Sequence, residues 1–219
     1  MARTHKAWLA WVLQSVSAAA QGIVTEKTPA PASPDIRLFY YDYAKAPASV
    51  ITEGMKTAER IFSHAGIRFT PIQLRPEWNE PQATLRNNQT PVLYLRILPD
   101  SMANRLGPGV EAIGSAYSTE DNSGQIANVF YGRLEGLQTS AACSRGVMLG
   151  HVIAHELGHL LLGHNSHSSS GIMSPNWQRD NQIIQIRSGA LLFTPEEADR
   201  IRKNVSDRRR LLSPTSILP

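Results

Sequence analysis

The stretch His155-Glu156-Leu157-Gly158-His159 constrains this chain more than any other. On an α-helix, residues four apart project from one face, separated by about 6 Å along the axis, so both imidazoles can reach one small cation. Glu156 follows the first imidazole directly and stays beside that cation without having to ligate it. Two neutral histidines and a carboxylate able to take a proton from metal-acidified water form the donor set of a zinc hydrolase.

Five residues with three fixed also recur by chance, on amphipathic helices whose histidines are incidental. The surroundings argue for a metal. Residues 146–163 read GVMLGHVIAHELGHLLLG, with Glu156 the only acid and no Lys or Arg. A helix this apolar is buried, and one carboxylate with three imidazoles is costly to bury unless those groups have partners. A cation supplies the partner. His151 shares the face, but histidines at i, i+4 and i+8 span about 12 Å, too far to meet on one ion, which leaves His151 a structural role.

At 219 residues the chain has room for one domain with a substantial core. Residues 1–20 read as a secretory signal: basic Arg3, His5 and Lys6, a short apolar run over 7–13, and Ala18-Ala19-Ala20 as an A-x-A cleavage site. The apolar run is too short to span a bilayer, so no stable membrane insertion is expected after signal removal, and the destination is secreted or periplasmic. The net charge of +4 falls to +2 once Arg3 and Lys6 are discounted, too little to indicate a nucleic-acid partner. The arginines over 200–210 alternate with Asp199 and Asp207 and read as a solvated helix face. Cys143 is the only cysteine, so no internal disulfide is available, and it reads as a small buried residue.

Residues 21–35, rich in Pro, Ala, Ser and Thr, read as a linker. Strands are expected over 36–43, 67–74, 91–98, 112–117 and 126–131, with Pro71 marking a bulge or exposed section. A turn is expected over 120–124 and a loop over 75–91. Helical spacing runs over 47–65 to a stop at Gly66, and again over 140–162 to a stop at Gly163. Residues 165–187 read as irregular. Thr194-Pro195-Glu196-Glu197 opens a last helix expected to run to about Ser206, followed by a tail over 207–219. The fold class is α+β: a mixed five-stranded twisted sheet with two long helices beneath it, and a lower part of loop and C-terminal helix.

This element order, with HELGH on the second long helix and Gly171-Ile172-Met173 behind it, resembles the metzincin clan of zinc endopeptidases, and its matrixin-type branch most. The resemblance covers about 35–206, implying a catalytic domain over 36–206. Met173 stands eighteen residues after His155, and Ile172 and Pro175 match the surroundings of the clan's methionine-containing turn, the Met-turn. The clan places Gly seven residues and a third His ten residues after the first His, where this chain has Leu162 and Asn165. Catalytic zinc generally takes three protein ligands, and Asn is a poor one. His167 is the preferred third ligand, because the chain must leave the helix at Gly163 and turn back; His164 is the alternative.

The resemblance implies a zinc metalloendopeptidase with one catalytic Zn²⁺. His155, His159 and His167 hold the ion, Glu156 is the general base, and Met173 forms an apolar floor. Peptide or protein substrate lies extended along an edge strand, here Ala112, Ile113, Gly114, Ser115 and Ala116, and residues 174–178 shape the pocket on the leaving-group side. The competing readings are a secreted zinc-binding protein without peptidase activity and a zinc amidase on the same scaffold. The sequence is silent on substrate preference, further metals, oligomeric state and regulation.

Overall fold

In a computed structural model of the protein, the described residues are 34–74, 90–106, 112–117, 119, 124–163, 165–177 and 180–213. All of them belong to the unit Ser33–Pro219. The expected signal and His164 lie outside the described residues, as do most of the expected linker, the 75–91 loop and the 120–124 turn.

Five strands form one sheet: β1 (Asp35–Asp42), β2 (Arg68–Leu74), β3 (Val92–Leu98), β4 (Gly114–Ala116) and β5 (Ile126–Phe130), in the order β2-β1-β3-β5-β4. The first four positions in that order run parallel, and β4 closes the edge antiparallel to β5. Alternation along each strand sends Ile36, Leu38 and Tyr40, Leu93, Leu95 and Ile97, and Ala127 and Val129 to one face, where they join the main core. Pro71 sits on the outer strand β2 with the register to β1 unbroken, so it marks an exposed edge and no bulge.

Beneath that face lie α1 (Ala48–His64) and the histidine-bearing α4 (Arg145–Leu162). Ile51, Met55, Ala58, Ile61 and Phe62 recur at helical spacing and bury one face of α1. The two helices meet at glycines: a Cβ on Gly150 would stand 2.5 Å from the Gly54 carbonyl oxygen, so a side chain there would push the helices apart. Against α4 also packs α6 (Pro195–Leu211), which opens at the expected Thr194 with a capping box, in which Thr194 and Glu197 bond each other's backbone N–H groups. This is the α+β layer order expected from the sequence of elements.

Four expectations need correction. The helix expected over 140–162 is two helices, α3 (Leu134–Ala141) and α4. Between them Ala142 takes a left-handed φ of 48°, and the Ser144 hydroxyl accepts the Val147 N–H at 3.1 Å, restarting the helix. The span read as irregular contains α5 (Asp180–Ser188), whose polar face hides its period; Ile186 is buried while Ile184 is exposed. The last helix runs to Leu211, five residues past its expected end, which shortens the tail. The Lys203–Asp207 and Arg210–Asp207 pairs support it there, and Arg208 reaches out to the Leu160 and Gly124 carbonyls. The substrate strand expected over 112–117 is shorter, Gly114–Ala116, with ladder hydrogen bonds to β5 reaching Ile113 and Tyr117 on either side. A short helix, α2 (Asp100–Ala103), and one 3₁₀ turn (Tyr131–Arg133) had no sequence signal strong enough to read.

Candidate metal centre

Helix α4 carries His155, Glu156 and His159 at its buried C-terminal half. Gly163, at φ 88°, ends the helix, and Asn165 adopts a second left-handed conformation at φ 56°. These two reversals turn the chain back, so that Ser166 points inward and His167 faces the helix. The His167 ring lies 5.5 Å from that of His155 and 4.8 Å from that of His159, centroid to centroid. One nitrogen from each of the three rings falls within 4.8 Å of the others.

The proton on His155 is placed by its far nitrogen: Nδ1–H donates to the Ile172 carbonyl at 2.8 Å, which leaves the Nε2 lone pair turned inward. His159 Nδ1 stands 2.8 Å from the Ser166 hydroxyl oxygen, and its Nε2 lies 3.1 Å from that of His155. Burial, together with the neighbouring imidazoles, lowers the pKa of His155 to about 4 and of His159 to about 3, so both are neutral near pH 7. Two neutral imidazoles at this distance are satisfied by one ring N–H donating to the other or by a cation between them. Nitrogens on one tetrahedral Zn²⁺ stand about 3.3 Å apart, close to the 3.1 Å between His155 and His159, with the His167 nitrogen within 4.8 Å of both. The donor set therefore fits Zn²⁺.

Glu156 is 5% exposed, and desolvation pushes its pKa up to about 8. It reaches the edge strand at Gly114, where a Cβ would stand 2.5 Å from Glu156 Oε1; only glycine allows that approach. A cavity of about 460 Å³ opens above it, lined by the three histidines, Glu156, Ala112 through Ala116, Gly163, Asn165 and Pro175. The structure thus brings the expected substrate strand and the expected metal residues to one cleft. Phe130 N–H donates to the Ile113 carbonyl and Tyr117 N–H to the Ile126 carbonyl. In that register Ile113, Ser115 and Tyr117 bond inward, and the backbone groups of Gly114 and Ala116 point away from β5, to an edge that no other described strand covers.

Below the histidines, Met173 is fully buried, with its sulfur where a Cβ on Gly158 would come within 2.5 Å. Of residues 174–178, expected to shape the pocket, Pro175 lines the cavity and Trp177 turns into the core. His151 stands apart from the cluster, its Nδ1–H donating to the Val147 carbonyl at 2.8 Å. Ser166 and Trp177 are the partners that sequence reasoning missed. Ser166 sits beside His167, but nothing in its spacing announces a contact with His159. Trp177 is one large apolar residue in a polar segment, a signal that could have marked it as buried.

These pKa shifts set the pH response of the metal-free protein. Glu156 has a raised folded-state pKa, so its contribution is lost as pH climbs from about 4.5 to about 8. His155 and His159 have lowered ones, so theirs is lost as pH falls from about 6.5 toward 4 and below. Thermal melts of metal-free protein should peak between these limbs. Glu156→Gln should flatten the alkaline limb and leave the acid limb, and an unchanged alkaline slope would contradict the assignment.

No protein-family model matches this chain, and no curated protein sequence matches it. Among solved structures, the chain is similar to archaemetzincin from Methanopyrus kandleri, at 16% identity and a TM-score of 0.43, over 81% of this chain and 98% of that one. It is also similar to a zinc-dependent peptidase from Methanocorpusculum labreanum, at 16% identity and a TM-score of 0.38, over the same shares, 81% and 98%.

Proposed function

We propose that this chain is a zinc-dependent metallopeptidase of metzincin type that hydrolyses peptide bonds, with His155, His159 and His167 as metal ligands. One observation carries the reading: three imidazoles converge beside a buried carboxyl in a cleft whose wall is the edge strand β4, unpaired on its outer side among the described residues. The turn sequence Ile172-Met173-Ser174-Pro175 draws the reading toward the matrixin-type branch, with Met173 as the apolar floor.

A bound Zn²⁺ supplies Lewis acidity, acidifying water and polarising a peptide carbonyl. The chain's own residues do the rest. Gly114 and Ala116 offer backbone N–H and C=O groups to an extended peptide, which binds by strand addition with little demand on its sequence. Glu156 accepts a proton at its carboxylate and returns it to the leaving amine. Burial raises its pKa to about 8 in the metal-free protein, and a bound dication would favour the ionised form that acts as base. The Ile172 carbonyl holds His155 in the ligating tautomer, and the Ser166 hydroxyl orients the His159 ring through Nδ1.

The basic start and short apolar run of the first twenty residues support a secreted or periplasmic destination. Among the described residues no helix is long and apolar enough to cross a membrane. The test is digestion of an unstructured protein such as casein, with zinc measured on the same sample. Cleavage should stop on adding a chelator and return with Zn²⁺. Zinc-loaded protein that cleaves nothing would favour a binding role instead.

A further inference from the structure

The Ile172 carbonyl accepts two hydrogen bonds, from His155 Nδ1–H at 2.8 Å and from Trp177 Nε1–H at 3.1 Å. Trp177 is 5% exposed, and its ring stands edge-on to His155 at 5.3 Å. The His151 ring also stands edge-on to it, at 6.4 Å. His151 is fully buried and tied to its own helix through Val147, so the indole packs against two imidazoles of α4. Trp177 contributes nothing to the lining of the cleft.

We infer that Trp177 is a positioning residue for the metal centre: by sharing the Ile172 carbonyl it fixes the acceptor that sets the tautomer and ring angle of His155. The inference deepens the proposed function and rests on it. A carbonyl oxygen has two lone pairs, and one donor leaves it free to swing about the peptide. The indole N–H takes the second direction and pins the oxygen where His155 needs it. The turn Gly171–Ser174 is also held through its backbone, by Ile172 N–H to the Leu192 carbonyl and Ser168 N–H to the Met173 carbonyl. Those bonds place the turn. The indole adds the side-chain restraint on the oxygen that His155 reads. Partners of ligating histidines are worth about 10–100-fold in metal affinity, and Trp177 acts one step further out, through the partner.

The experiment compares the full chain with Trp177→Phe, which keeps an aromatic ring and removes the donor. Zinc affinity is measured by competition with a chromophoric chelator, and the His155 tautomer by nitrogen-15 shifts of metal-free protein. Expected are roughly tenfold weaker zinc binding and a loss of the single Nδ1–H tautomer, with little change in the thermal midpoint of the metal-free protein. Wild-type affinity and an unchanged tautomer in Trp177→Phe would overturn the inference while leaving the proposed function standing. Failure of the wild type itself to bind zinc would remove both. If Trp177→Phe does not fold, the wild type still decides. The Trp177 indole N–H should exchange slowly with solvent and shift on adding Zn²⁺, and a fast-exchanging signal indifferent to zinc would sink the idea.

Discussion

Glu156→Gln is expected to retain Zn²⁺ and lose about 10²–10⁴-fold in kcat, the usual range for a general acid–base group. The substitution preserves shape: glutamine fills the same buried space beside Gly114, so the cleft wall keeps its position. It also spares the fold a group whose ionisation burial opposes, so the loss cannot be ascribed to instability. What disappears is the capacity to accept a proton from water and deliver it to the departing nitrogen. Peptide turnover and zinc content, measured on one preparation, decide the matter. A zinc-loaded variant with wild-type turnover would take Glu156 out of the chemistry.

His167→Ala should weaken zinc binding at least about 100-fold, since a full protein site is worth on the order of 10–16 kcal/mol and one ligand carries a substantial share. His167 is exposed and lies on a loop, so its removal leaves the apolar core untouched and the metal-free protein as stable as before. That separates loss of a ligand from loss of the fold. His164→Ala is the matched comparison and should bind zinc like the wild type. The reverse pattern, with zinc held by His167→Ala and released by His164→Ala, would transfer the third ligand to His164.

Much of the fold was legible because local pattern and tertiary role coincide. Strand β3 reads as alternating apolar residues because alternate side chains enter one core. Helix α1 reads from Ile51, Met55, Ala58 and Ile61 because one of its faces is buried. Where burial is shallow the pattern fails: α5 buries Ile186 and exposes Ile184, so its period is weak. The break before α4 was invisible for a different reason. Ala142 is a strong helix former placed in a left-handed conformation by its surroundings, and only the Ser144 cap hints at the restart.

The candidate site divides in the same way. His155, Glu156 and His159 were readable from spacing alone, because four residues on a helix fix direction regardless of what surrounds it. Where the metzincin pattern has its third histidine this chain has Asn165, and the approach of His167 to the helix depends on two left-handed residues, Gly163 and Asn165, that steer it back. The contact of Glu156 with Gly114 joins residues far apart in the chain and leaves no periodic trace. The same is true of the Ile172 carbonyl shared by His155 and Trp177. Sequence by itself determined the chemistry that α4 can carry, since helical geometry is local. Tertiary structure alone brought the His167 ring beside the two helix imidazoles, the strand edge against the carboxyl and the carbonyl behind the first histidine, because each is a meeting of segments brought together by packing.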